Sequence, residues 1–310
     1  MLFPAKVPSP STPPPNCDYA ELHCRSNFSF GVGASQPEEL VQRAHALGYA
    51  ALAITDDCSV SGLVRAHTEA KKLGLKLLPG AEFAVSSGGP HRADALSFGL
   101  IALPRDLAAW GAVSAFITGA RRSAPKGQYH VTWPDPGWAS LQGCEVILVL
   151  PTAMPWEAAH SVCRSASGLF GNHLWLGVPQ LLHAQDALTL HKLTQLSQHT
   201  AIPLVATGGV LMHVRSRKPL QDVLTAVRLG RPVAACGLAL QPNAEAHLRS
   251  RARLAQIYPP GLLENTLTVA SRCHFSLDEL RYQYPQEAVL PGQTPAPTPP
   301  TPQQVQRYAQ

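Results

Sequence analysis

One alternation constrains this chain more than any other feature. Short apolar runs at 19–23, 50–55, 75–78, 96–103, 145–151, 174–180 and 202–207 are separated, in most cases, by stretches of helical period. Runs of this length are too short for buried helices and fit strands covered on both faces. Strands alternating with helices pair in parallel through right-handed crossovers, which leaves a (β/α) barrel or a doubly wound sheet. The helix signals are local. Ser35 followed by Glu38 matches a capping box, and Leu40, Val41, Ala44 and Leu47 repeat at helical spacing as far as Gly48. Residues 59–72 read as a second helix, with Lys71 and Lys72 at its negative end and Gly74 as its stop. The clearest later helices are 105–120 and 184–200, while Pro79-Gly80 is expected to interrupt the third strand.

After Met212 the pattern changes to amphipathic or mixed stretches at 219–229, 245–257 and 260–273, read as a separate helical segment. The 29 prolines crowd both ends, so 1–16 and 286–310 are expected to be disordered tails around a barrel domain at 17–218 and a helical connector at 219–285. No apolar run approaches the roughly 20 residues of a membrane span, and no basic-then-apolar start suggests a signal peptide, so a cytoplasmic protein with no membrane partner is expected. The 7 cysteines are scattered with no C-x-x-C pair, which argues against a disulfide framework or a zinc ribbon. A net charge of +5 is compatible with nucleic acid but is ordinary for a soluble protein.

In parallel α/β folds chemistry gathers beyond the carboxyl ends of the strands. That rule selects His23, Asp56, Asp57 and Glu82, a histidine and three carboxylates able in principle to face one another and ligate a divalent metal. The plainer alternative makes Asp56-Asp57 a helix-capping pair and Glu82 a loop residue. His213, Arg215, Arg217 and Lys218 form a basic turn after the last strand, either a phosphate or DNA contact or a solvated turn. Arg249, Arg251 and Arg253 alternate along the chain and read as surface charge.

Several motifs resemble a known family. Glu21-Leu22-His23-Cys24-Arg25-Ser26-Asn27-Phe28-Ser29-Phe30 is similar to the opening motif of the polymerase-and-histidinol-phosphatase (PHP) domains that begin bacterial C-family DNA polymerases. Leu52-Ala53-Ile54-Thr55-Asp56-Asp57-Cys58-Ser59 resembles the second motif and Gly80-Ala81-Glu82-Phe83 the third. His213 to Lys218, Leu220 to Thr225, Leu240 to Glu245 and Phe275 to Pro285 are similar to the error-prone, damage-inducible branch. The resemblance covers about residues 17–295 and implies a distorted seven-stranded barrel followed by a helical connection towards the polymerase palm.

Departures from the family pattern shape what is expected of this chain. Arg25 stands at the second histidine of the first motif, Asp57 where the active family places histidine, and Gly209-Val210-Leu211 where it carries Asp-x-His. His23, Asp56 and Glu82 remain as ligand types, with a structural role as the alternative for Asp56 and with Cys58 and His213 as neighbours. These residues are too few for a multinuclear Zn2+ or Mn2+ site, and Arg25 is expected to take the metal's place by pairing with Glu82 or Asp57. Beyond Leu220 the aspartates are Asp222 and Asp278, so the palm with its Mg2+ pair is expected to be missing, and the tail from about Pro297 departs from the family as an interrupted reading frame would. The expectation is a non-catalytic scaffold of an error-prone translesion polymerase, without a cofactor of its own, meeting DNA through the parent enzyme and alongside DNA-repair proteins. A metal-dependent phosphoesterase or 3'-5' exonuclease is the alternative.

Overall fold

Strand β2 (Ala51–Asp57) shows how the sequence builds the wall. Side chains alternate across a strand. Ala51 and Ala53 face an interior shared with Leu22, Ile101, Ile147 and Val205, whereas Leu52 and Ile54 pack outward against Leu40, Val41, Leu63 and Ala66 of the flanking helices. Burial on both faces is why the run is apolar without a break. The structure, a computed structural model, describes residues 18–87 and 96–281; the tails expected at 1–16 and 286–310 and the end of the connector lie outside the described residues.

Strands β1 (Ala20–Glu21), β2, β3 (Lys76–Ser87), β4 (Leu96–Pro104), β5 (Cys144–Val149), β6 (Leu174–Pro179) and β7 (Leu204–Thr207) form one seven-stranded sheet in sequence order. Helices α1 (Pro37–Ala46), α2 (Leu63–Leu73), α3 (Leu107–Arg122), α4 (Trp156–Phe170) and α5 (Asp186–Thr200) accompany the strands. The sheet curls into a nearly closed barrel. Its seam is sealed beyond the strand ends, where Cys24 bridges Val210 and the Arg25 N–H donates to the Val210 carbonyl at 2.9 Å.

Helices α6 (Lys218–Leu229), α7 (Arg251–Ile257) and α8 (Pro260–Arg272) follow. The last of these packs across the opposite end of the barrel. Thr266 Oγ1 accepts from the Ala20 N–H at 3.2 Å and Asn265 Nδ2 donates to the Leu204 carbonyl at 2.7 Å, while Val269 and Ala270 join the interior cluster.

Four expectations are corrected. Strand β4 runs antiparallel to both neighbours: only eight residues separate it from β3, and a parallel crossover needs about a dozen or more. Pro79-Gly80 does not interrupt β3. Pairing with β2 spans it, but pairing with β4 starts at Ala81, so one flank of Pro79 needs no N–H donor. Gly80 is required, because a Cβ there would sit 2.9 Å from the Ala102 carbonyl oxygen as well as 2.6 Å from Leu103 Cδ2. Helix α1 begins at Pro37 with Gln36 as its cap, and Glu39 accepts from the Gln36 N–H at 2.9 Å, displacing the Ser35–Glu38 pairing by one residue. Residues 245–250 are not helical; Met212 bridges His247 there.

At the seam, buried Glu21 accepts from the Tyr19 hydroxyl and from the His23 and Gly208 N–H groups, each at 2.9 Å. A Cβ on Gly208 would lie 2.0 Å from Glu21 Oε2. Gly208→Ala is therefore expected to destabilise the fold by about 2 kcal/mol or more, read as a lower urea midpoint at unchanged slope; an unaltered midpoint would contradict the packing described.

Candidate functional site at the barrel mouth

The end of β2 and the chain beyond β1 both meet β3 at Glu82. Its β3 backbone pairs with β2, placing a carboxylate with 4% exposure where the chain from β1 passes overhead. Arg25 reaches it bidentately, Nε to Oε2 at 2.5 Å and Nη2 to Oε1 at 2.5 Å, and His23 Nε2 donates to Oε2 at 2.8 Å. The planar guanidinium fork matches the two carboxylate oxygens, the strongest form of this contact. Burial pushes the Glu82 carboxyl up, but the charges of Arg25 and His23 outweigh it and hold the group well below the usual carboxylate range. Burial likewise disfavours the Arg25 cation, and Glu82 more than restores it. On the far side of the ring, His23 Nδ1 is buried with no protein partner.

The two aspartates take separate roles. Buried Asp56 accepts from the Ser26 N–H at 2.7 Å, Ser26 Oγ at 2.8 Å and Ser29 Oγ at 2.7 Å, and so pins the loop after β1. Burial raises its carboxyl despite those donors. Asp57 Oδ1 accepts from the Tyr129 hydroxyl, and its carbonyl accepts from Arg121 Nη2 at 3.0 Å. Cys58 is buried at a positive φ of 45°, its thiol pushed up to about 11, chiefly by burial. His23, Arg25 and Glu82 therefore come together, whereas Asp56, Asp57 and Cys58 face other partners. Among the described residues no three His, Cys, Asp or Glu side chains are grouped as a metal would need. A cavity of about 1010 Å³ opens over the site, lined by Arg25 and Glu82 on one side and by Thr152, Gln185, Asp186 and Asn243 among others on the other.

The remaining predicted residues lie elsewhere. Gly209, with φ of 53°, turns the chain after β7. Leu211 is buried in a small cluster with Ala34, Met212 and Ala246. His213 Nδ1 bonds Ser35 Oγ at 2.7 Å, and burial lowers its affinity for a proton. In the basic turn, Arg215 grips Glu245, Arg217 grips Glu39 and Lys218 grips Asp222. Arg249, read as surface charge, is only 3% exposed: Nη1 donates to the Gln180 carbonyl at 2.6 Å and the guanidinium carbon lies 5.9 Å from the Tyr258 ring centre. Helix α7 starts at Arg251, so Arg249 belongs to the preceding extended segment and turns inward.

The PHP domain family model matches residues 21–200. An error-prone DNA polymerase of Methylococcus capsulatus is 48% identical over 276 residues, covering 89% of this chain and 25% of that protein. One from Bordetella parapertussis is 46% identical over 286 residues, 90% of this chain and 27% of that protein. The chain thus spans about a quarter of the length of these relatives. Among solved structures, an amidohydrolase from Chromobacterium violaceum is similar at 17% identity and a TM-score of 0.45, covering 61% of this chain and 86% of that one.

Removing the acid should expose the value of the pairing. Glu82→Gln leaves Arg25 with its charge uncompensated and is expected to cost about 3 kcal/mol at neutral pH. Because the folded-state value of Glu82 is depressed, its contribution is complete above the ordinary glutamate value of 4.5 and fades as pH falls towards the depressed one. Glu21 and Asp56, raised by burial, have the opposite sign and are common to both proteins. The gap between wild type and Glu82→Gln in urea unfolding should therefore narrow steadily below pH 4.5; a gap independent of pH would contradict it.

Proposed function

The chain belongs to the PHP domain family, and from that premise we propose that it is the PHP portion of an error-prone DNA polymerase, in which the barrel is scaffold and the metal-dependent chemistry has been lost. The observation that carries this reading is the Arg25 fork on Glu82. A metal ligand must offer a lone pair to the ion, and both oxygens of Glu82 already accept from a guanidinium that repels cations. His23 spends its Nε2 on the same carboxylate, and Asp56 has three serine donors. The residues present do not fit a multinuclear Zn2+ or Mn2+ site, so no hydrolytic step is assigned to them.

The rest of the reading follows from the relatives. These relatives are error-prone DNA polymerases, and the nucleotidyl transfer of such an enzyme, with its Mg2+, is assigned to the part of the polymerase beyond this quarter. DNA contact is assigned there too, a division supported by the basic turn, whose Arg215, Arg217 and Lys218 each hold a carboxylate of this same chain. Action in DNA repair and translesion synthesis in the cytoplasm is part of the same proposal; among the described residues no helix is long and apolar enough to cross a membrane.

The test is metal content and turnover together. Protein equilibrated with manganese or zinc and then desalted is expected to retain well under one ion per chain by elemental analysis, and to leave a chromogenic phosphoester uncleaved in the presence of manganese. Stoichiometric metal, or cleavage that disappears in Glu82→Gln, would establish the phosphoesterase alternative in its place.

A further inference from the structure

Helix α6 turns Ala226 and Leu224 inward, yet it also carries a second apolar face outward. Its buried residues include Gln221 and Thr225, which bond one another at 3.0 Å, with Gln221 Oε1 left buried and unpartnered. Leu220, Val223 and Val227, spaced so that they share one face, are 39%, 47% and 73% exposed. A helix serving the core alone would carry polar residues on that outer face. Valine is also a mediocre helix former, so its use on a solvated face brings no local gain.

The exposure continues past the helix. Val233 is 39% exposed and Leu238 fully so, in the two short turns after α6. Among the described residues, five of the ten large apolar side chains that stand out in solvent thus fall between 220 and 238. A sixth, Phe30, belongs to the loop whose Gly31 carbonyl accepts from Arg228 Nε of α6 at 3.3 Å. Lys218 and Asp222, the charged neighbours on the first turns, pair with each other rather than reaching outward. Monomeric proteins rarely leave such a concentration of apolar surface uncovered.

Resting on the reading of the chain as part of an error-prone polymerase, we propose that this face is the docking surface for the remainder of the polymerase polypeptide, which presents an apolar counter-face to it. The argument for that occupant is length and identity. Relatives 46–48% identical to this chain carry about three times as much polypeptide again, all of it outside the described structure. Among the described residues this stretch carries half of the large exposed apolar side chains, and its far end, Leu238, reaches the rim of the cavity over Glu82. The surface also lies on the helices that follow the barrel rather than on its wall, so a large body can seat there without disturbing β1 to β7.

The test compares the 310-residue protein with a chimera of the Methylococcus capsulatus polymerase whose matching quarter is replaced by this chain. Val223→Cys, Val227→Cys and, as a control outside the face, Val64→Cys on α2 are placed singly in a Cys17→Ser background, and maleimide labelling is timed. All three should react rapidly in the 310-residue protein. In the chimera the first two should slow about tenfold or more while Val64→Cys keeps its rate. A second measurement guards against a misassembled chimera: Val223→Lys with Val227→Lys should lower the melting temperature of the chimera and leave that of the 310-residue protein unchanged. Equal labelling in both proteins overturns the proposal, whether or not the chimera extends primers. Slow, concentration-dependent labelling of the 310-residue protein also overturns it, by assigning the face to a second copy. Metal binding by the barrel would defeat the scaffold reading without changing any of these rates.

Discussion

A carboxylate buried at the mouth of a barrel must be compensated, and in this protein a guanidinium does it. Glu82 ends the part of β3 that pairs with β2, and Arg25 and His23 come from the chain beyond β1, so the contact ties two separate parts of the mouth. A bidentate fork has one productive orientation. It therefore orients the segment after β1, whose course Asp56 fixes from below through Ser26 and Ser29. The same contact sets the chemistry available there: the charge on Glu82 is secured, but its oxygens are taken. What is left above it is a cavity with one committed ion pair on its wall.

Two further buried glutamates collect donors at other places in the sheet. Glu21 at the end of β1 collects donors from Tyr19, His23 and Gly208 and lies close enough to Arg249 and Tyr258 for mutual electrostatic influence. Tyr258 carries the network onward, accepting from the Gln180 N–H at 3.1 Å and donating to the Thr207 carbonyl at 2.9 Å. At the opposite end, Glu145 accepts from Trp175 Nε1 at 2.7 Å and lies 2.6 Å from His173 Nδ1, with Arg272 of α8 at 3.4 Å. The strands β1 and β7 are only 2 and 4 residues long, too short to close a barrel by ladder hydrogen bonds alone. Polar clamps from beyond the strands complete what the backbone leaves open.

Much of the wall was legible in the sequence because burial on both faces writes a strand as a continuous apolar run, and all seven runs became strands in order. The reversal of β4 was harder to see, since direction leaves no mark in composition; the sole hint was the shortness of the link from 88 to 95. Helix α4 carries a fainter mark than α3 and α5, although Ala159, Val162, Cys163 and Ala166 recur at helical spacing. At the site, Arg25 was legible as a departure from a motif, and its two candidate partners could be named, but choosing Glu82 over Asp57 required the register of β2 on β3 and the position of Tyr129. Arg249 was misread because an alternating arginine pattern looks the same whether it lies on a helix or enters one from an extended segment. Glu21 was visible only as the first residue of a motif, with no role attached, and Glu145 carried no signal, being a single acid in an apolar run that ordinarily marks an outward-facing position.

The account stands on the claim that an ion pair occupies the place of a metal cluster at this mouth. The most direct measurement is the melting temperature of the protein across a manganese titration that begins in chelator, since any ion bound by the folded state alone raises stability in proportion to the logarithm of its concentration. The account predicts a melting temperature that does not move between chelator and millimolar manganese. A steady rise with manganese, abolished by Glu82→Gln, would contradict it.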